Sequence, residues 1–416
     1  MNDRQRGSTH LPRCIVALLS AILGFWPENA RLYGDTYGYE FRPGPNAPNN
    51  FKPGPGVNAS GLDLSGSAFI GMDLSNAKFE RCNLQRAFFA QVRFQHGAAC
   101  FKEADLRYAR FAESPDSPRQ EGLDQCDFSD ALIQGLQFVQ QYAHLTLEQI
   151  RSTKSFKLKD LSGCQIVGGR SEKNPYSYFY LVPQPVELDF RQFDLRNATL
   201  AAGDFTKSDF TGAIITGATF FKSTITPDQI ASTNQYVPDS HIGGFPGSTY
   251  VNPDGFGMLV RRSGYANLGF AHMDLSTWHL VNADLRGTRF CEVNLAGVDF
   301  SGADVSGAQF YRSIGKERLL TTKSYQTGSL VGVVLVSLDL ANVDFSQQDL
   351  TRAKFVQCDL TGADFTDAVI TDADFHGCLD TPPTVEQIKS TWNYKHGRMA
   401  GVLLAEQLQA ALQVDK

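Results

Sequence analysis

The sequence predicts a β-solenoid whose coils have four sides. Three observations carry that prediction: a five-residue hydrophobic period, a matching of large side chains at an offset of twenty, and a composition weighted toward one aromatic, with 30 Phe and 37 Gly against 5 Met and 3 Trp. Leu64, Phe69, Leu74, Phe79, Leu84, Phe89 and Phe94 are spaced by five, and after a two-residue slip Phe101, Leu106 and Phe111 resume the count. The pattern returns over 190–225, 270–310 and 330–375. Neither ordinary element uses such a period. In an α-helix five residues advance the side chain by about 500°, so successive large residues drift around the axis by some 140° each. In a strand an odd spacing sends them to alternate faces. A chain that turns one corner per repeat instead sends the large residue, and the small one two before it, inward and leaves the other three outward, with like residues stacked coil upon coil.

The identity of the inward residues sets the number of sides. Three sides would stack residues 15 apart and pair Leu340 with Phe355 and Phe345 with Leu360, a mismatch throughout. Four sides stack residues 20 apart, pairing Leu340 with Leu360, Phe345 with Phe365 and Phe355 with Phe375, and aligning Phe270, Phe290 and Phe310 in one column. Uniform columns pack without voids. A two-sided coil of ten residues has the same alternation but little interior for Phe.

The recurring unit, as in Ala283-Asp284-Leu285 and Ala363-Asp364-Phe365, resembles the pentapeptide repeat family, and the repeats run through most of 60–380. The resemblance implies a right-handed quadrilateral β-helix with about four repeats per coil. It implies no catalytic residues and no cofactor, because the family has no common active site.

Length and charge bound the rest. The chain has 416 residues, 42% of them hydrophobic and 20% charged, a composition of folded soluble proteins. A net charge of -6 provides no basic surface to hold nucleic acid by counterion release. Residues 1–30 read as an export signal: Arg4, Arg6 and Arg13 precede the apolar run from Cys14 to Trp26, and Ala30 suits a cleavage point although Glu28 does not. That run is shorter than the roughly 20 residues of a membrane span, so no stable span is expected, with an uncleaved anchor as the alternative. Losing this segment would remove three basic and two acidic groups and leave a charge of about -7. Residues 31–60 form a Pro/Gly-rich linker, with RPGPNAPNNFKPGPG unable to hold a helix or central strand.

A longer period overlies the short one. Thr146 to Thr153, Thr226 to Thr233 and Thr384 to Thr391 are copies of T-x-(E/D)-Q-I-x-S-T, and Gly315 to Thr322 is a weaker fourth; each is followed three residues later by an aromatic, Phe156, Tyr236, Tyr325 or Tyr394. A Thr N-cap with Gln at the third helical position is a capping box, and Pro227 suits a first helical turn. Short helices here divide the chain into repeat modules at 61–145, 146–225, 226–314 and 315–383, closed by a helical cap at 384–416. Within that cap Val402, Leu403, Leu404, Leu408, Ala411 and Leu412 approach helical spacing, and a homodimer through this helix is the sharper alternative to a simple cap.

The candidate binding residues are the aromatics of two long loops, Tyr176, Tyr178, Phe179 and Tyr180 in 170–188, and Phe245, Tyr250 and Phe256 in 237–264. Loops on a rigid scaffold are where binding tends to reside, for a protein or polymer partner, and packing on the solenoid flank is the alternative. Cys82, Cys126, Cys164 and Cys358 occupy the small inward position and read as core hydrophobes, with an incidental pair between neighbouring coils left open. His272, Asp274 and His279 form H-x-D-x4-H, and His376 sits beside Cys378, but the repeat register places the first three at outward or corner positions, so no metal is expected. The series Asp284, Asp299, Asp304, Asp344, Asp349, Asp359 and Asp364 reads as corner carboxylates accepting backbone hydrogen bonds. Together these point to an exported, non-enzymatic repeat scaffold or binding surface; the alternative is the DNA-mimicking inhibition of type II topoisomerases that the resemblance implies for shorter members.

Overall fold

The computed structural model describes residues 40–94, 96–112, 122–139, 144–168, 183–234, 267–378 and 381–413. The chain forms two compact units, one of residues up to Phe128 with 137–143, the other of 129–136 with 144–416.

The first unit carries a sheet of five short strands in sequence order, β1 (Glu40–Arg42), β2 (Ala68–Ile70), β3 (Phe88–Ala90), β4 (Arg110–Ala112) and β5 (Gln137–Val139). All pairs are parallel except β1 on β2. The described part of the expected linker is therefore not a spacer. Phe41 of β1 lies 5.2 Å from Phe69, the first ring of the column Phe69, Phe89, Phe111, Phe138, and is itself met edge-on by Phe51 at 5.4 Å. Gly44 makes that approach sterically feasible: a Cβ there would meet the Ser65 carbonyl at 1.9 Å. Pro and Gly still confine the segment to an edge, as the lack of ladder donors requires.

In the second unit β6 (Gln165–Val167), β8 (Thr199–Ala201), β10 (Thr219–Phe221), β11 (Gly269–Ala271), β12 (Arg289–Cys291), β13 (Gln309–Tyr311), β14 (Val334–Val336), β15 (Lys354–Val356) and β16 (Asp374–Gly377) make one parallel sheet of nine, while β7 (Gln184–Pro185) pairs with β9 (Gly203–Asp204). The registers Phe270↔Phe290↔Phe310 and the single bridges Asp339↔Asp359, Asp344↔Asp364 and Asp349↔Val369 all step by 20, one bridge for each further side. Both units are right-handed quadrilateral β-helices. The stacking reaches the rings themselves, with centroids 5.3 Å apart for Phe345–Phe365 and 4.9 Å for Phe355–Phe375. Inserted residues are absorbed whole: the step widens at Phe111↔Phe138, Ile166↔Leu200, Phe220↔Phe270 and Phe310↔Leu335, and the like residues re-pair beyond it.

The corners explain the period. Two residues after most large inward residues φ is positive, as at Asn282, Arg352 and Asp367, and 24 non-glycine positions among the described residues have positive φ. None of the 24 is β-branched, as a left-handed residue demands. One element of the expected pattern fails: on the strand-bearing side the residue after the large one is also buried, as in Phe221, Ala271, Cys291, Tyr311 and Val336. The chain there stays extended for one residue more, and corner side chains fold back over this column. The Arg312 guanidinium lies 5.7 Å above the Tyr311 ring, and His272 meets Phe221 edge-on at 5.3 Å.

The helical inserts lie within coils rather than between stacks. They are α1 (Leu147–Ser152), α2 (Lys154–Lys157), α3 (Pro227–Ala231), α4 (Lys316–Thr321), α5 (Lys323–Gln326), α6 (Val385–Ser390) and α7 (Trp392–Lys395). Thr146, Thr226 and Thr384 each form the complete capping box, whereas Gly315 has no side-chain cap. The box Gln also ties its helix to the coil before, since Gln229 Nε2 donates to Phe205 O at 2.7 Å and Ser208 O at 2.6 Å. Ile230 of α3 follows Phe210 by 20 residues and is buried in its place.

The sequence reading misses the second helix of each pair. Its cap is the last Thr of the motif: Thr153, Thr322 and Thr391 accept from the N–H of Phe156, Tyr325 and Tyr394. The turn into α2, α5 and α7 diverts the chain from the strand path, so the preceding coil would be left with an orphaned N–H. A side-chain oxygen takes the carbonyl's role: Ile133 N–H donates to Ser155 Oγ at 2.8 Å, Val305 N–H to Ser324 Oγ at 2.8 Å and Ile370 N–H to Asn393 Oδ1 at 2.7 Å. At the C-terminus the helix is shorter than the apolar spacing suggests: Leu403 pairs with Asp374 as one more ladder step, and only α8 (Glu406–Gln413) is helical, with Leu408 and Leu412 buried.

Candidate functional site

The seven loop aromatics, Tyr176, Tyr178, Phe179, Tyr180, Phe245, Tyr250 and Phe256, lie outside the described residues, as does the 1–30 segment. The sites that the structure does describe are the carboxylate ladder, the corner column over the strand-bearing side, and the thiols.

Every member of the Asp series accepts a backbone N–H two residues on, from Arg286, Ser301, Ser306, Ser346, Thr351, Thr361 and Thr366, at 2.8–3.2 Å. These are Asx turns that shape the approach to each corner. The bonds favour the charged form. Thr366 holds the Asp364 carboxyl below the usual carboxylate range, and Thr361 does the same for Asp359. Burial pulls Asp304 up, but its bonds to Ser306 and Ser324 outweigh it and the net shift is downward. Where the donor two residues on is Arg, the guanidinium also forks onto the carboxylate. Arg107 on Asp105, Arg191 on Asp189 and Arg286 on Asp284 place Nη2 2.6 Å from Oδ2, and Arg196 grips Asp194 likewise. The fork takes Asp189 down to about 2. The ladder is thus turn chemistry first and surface charge second, and four of its carboxylates carry their own counter-charge.

The residues of the H-x-D-x4-H pattern do not gather into a ligand set. His272 occupies a corner, with Nδ1 3.3 Å from Glu292, and burial lowers its pKa. Asp274 accepts from Ser276 N and Asn294 Nδ2, while His279 is exposed. Among the described residues no group of three or more His, Cys, Asp or Glu is arranged to hold a metal ion. Glu292, outward by its repeat position, instead bridges two coils, 3.7 Å from Arg312 on its other side. The residue spacing carries the signal for this column: His272, Glu292 and Arg312 follow one another by 20.

The cysteines Cys82, Cys126, Cys164, Cys291, Cys358 and Cys378 are buried and free. Burial pushes the Cys164 and Cys291 thiols up to about 12 and Cys82 to about 11, which removes the thiolate that nucleophilic chemistry needs. His376 is exposed, while Cys378 is buried and its sulfur donates to Phe355 O at 3.3 Å.

A four-sided solenoid with Asx-turned corners, a stacked aromatic core and a polar outer ladder defines a structural repeat protein. Eight copies of the pentapeptide repeats match the chain, over 56–95, 187–224, 279–314, 329–367 and 349–378, and the chain belongs to the pentapeptide repeat family. Similar solved structures include HetL, involved in heterocyst differentiation regulation in the cyanobacterium Nostoc sp. strain PCC 7120, at 18% identity over 79% of this chain and 92% of that one with a TM-score of 0.15. Full-length QnrB1, a plasmid-mediated fluoroquinolone resistance protein, is 16% identical over 84% of this chain and 96% of that one, with a TM-score of 0.11. A pentapeptide repeat protein of the Arabidopsis thaliana thylakoid lumen is 19% identical over 42% of this chain and 74% of that one, with a TM-score of 0.12. No curated protein matches the sequence. Among the described residues no helix is long and apolar enough to cross a membrane.

Proposed function

We propose that the protein is an exported, non-enzymatic scaffold that offers a rigid, electrically mixed surface to a protein partner. The observation that carries this reading is the use of the outer Asp series: each member accepts a backbone N–H two residues on, and Asp105, Asp189, Asp194 and Asp284 are forked by the Arg two residues on. A mimic of DNA needs a continuous acidic face, whereas a net charge of -6 over 416 residues interleaved with these guanidinium groups is a weak field, damped further at a Debye length of about 8 Å. The buried, protonated thiols of Cys82, Cys164 and Cys291 supply no nucleophile, and the Asx geometry leaves those carboxylates occupied rather than poised as acids or bases.

The test has two arms. Purified residues 31–416 should leave DNA supercoiling by a type II topoisomerase unchanged at micromolar concentration. The native protein should be recovered outside the cytoplasm with residues 1 to about 30 absent. Potent inhibition together with an intact N-terminus refutes the reading and establishes the inhibitor in its place.

A further inference from the structure

We propose that Cys358 and Cys378 are a disulfide site, a reversible staple across two successive coils near the C-terminal end of the second unit. Each cysteine lies just beyond a strand, Cys358 after β15 and Cys378 after β16. The two make the same contact one coil apart. Cys358 Sγ donates to Leu335 O at 3.2 Å and Cys378 Sγ to Phe355 O at 3.3 Å. Leu335 and Phe355 are register partners in β14 and β15, so the two thiols are related by one strand spacing, roughly 4.8 Å. That separation falls inside the Cα range of about 4.4 to 6.8 Å that a disulfide accepts. Both residues are at most 1% exposed. Between β15 and β16 the register shifts at Val356, so the backbone beside the pair already departs from the regular ladder.

Formation follows ordinary thiol–disulfide exchange with a small-molecule disulfide such as oxidised glutathione. One thiol loses its proton and attacks the glutathione disulfide, releasing one reduced glutathione and leaving a mixed disulfide. The second thiol loses its proton and displaces the other glutathione. Two S–H bonds become one S–S bond, and the oxidant accepts two electrons and leaves as two thiols. Because the pair is buried, exchange proceeds through opening of the last coils, and the closed bond then resists that opening.

The full chain is equilibrated in glutathione buffers of graded ratio, approached from both the reduced and the oxidised side until the endpoints coincide. No Lys or Arg separates the two cysteines, so the tryptic peptide 355–389 contains both. The oxidised peptide is two hydrogens lighter and escapes alkylation, and cleavage before Asp residues leaves two fragments joined. In the folded chain the pair should be half oxidised at a ratio at least tenfold more reducing than in the same chain unfolded in urea. Cys378→Ala should yield no lighter peptide while retaining the circular dichroism of the parent. A folded chain that needs an equal or more oxidising ratio than the unfolded one overturns the proposal, as does Cys358 bonded to a different cysteine.

Discussion

Replacing Phe290 by alanine tests the register where the structure is most specific about cost. Phe290 is 1% exposed, with ring centroids 5.8 Å from Phe270, 5.2 Å from Phe310 and 6.2 Å from Phe300. Truncation therefore removes two stacked contacts and one edge contact as well as the buried area. The site cannot collapse to heal itself, because ladder bonds hold the coils on both sides: Arg289 N–H to Leu268 O at 2.8 Å and Glu292 N–H to Tyr311 O at 2.9 Å. The expected loss is about 4 to 5 kcal/mol, the upper part of the range for Phe→Ala in a rigid core. Lys354→Ala, an exposed outward position on β15, should change stability by less than about 0.5 kcal/mol. Glu292→Ala is not an equivalent control, since its carboxylate bridges His272 and Arg312. Urea unfolding followed by tryptophan fluorescence reads the effect, with Trp278 reporting locally from 5.2 Å beside Phe270. Hydrogen exchange should localise it to the amides of 268–312, because repeat arrays transmit strain mainly to neighbouring coils. If Phe290→Ala costs no more than Lys354→Ala, the four-sided stacking argument is wrong.

Asn393→Ala strips the acceptor from the buried Ile370 N–H and should cost about 1 to 3 kcal/mol in urea unfolding, so a loss within a few tenths would mean that this amide has another partner. Acid sensitivity follows from the turns: Asp189, Asp359 and Asp364 have folded pKa values held below the unfolded value, so their contribution is present above pH 4 and is lost as pH falls toward 2. Unfolding midpoints should therefore hold level from pH 7 to about 5 and drop below about 4, and a midpoint that rose on acidification would contradict the Asx assignment.

Much of this fold is visible in one line of sequence because the constraint repeats. Column identity at 20 residues fixes the number of sides, and the Asp before the large residue anticipates the turn it makes. What stays hidden is whatever depends on one extra residue of extended backbone. Tyr311 sits where the five-residue rule points outward, yet it is 2% exposed because Arg312 covers it. The second helices escape notice because Ser155, Ser324 and Asn393 look like surface polar residues until the orphaned N–H they satisfy is seen. Glu292 is legible only if the 20-residue step is applied to polar residues as well as to Phe and Leu. Of the candidate binding site, the loop aromatics follow no repeat, so no column argument reaches them.

The division of labour within a repeat determines where specificity can reside. Two positions face the core, the Asp position is spent on the turn, and the corner must tolerate positive φ, which excludes β-branched residues there. The remaining position contributes its backbone N–H to the carboxylate whatever its side chain, which adds a second bond from the Arg286 guanidinium or the Ser301 hydroxyl and none from Ala341. The turn therefore forms with Arg, Ser, Thr or Ala at this position on the sides without long strands, and the choice repeats at coil spacing, roughly 4.8 Å. Side chains here and at the corners can change the surface from apolar to cationic without disturbing a single column of Phe. This explains why the fold can be read from sequence while a partner cannot: the residues that would recognise it are the ones the solenoid leaves unconstrained.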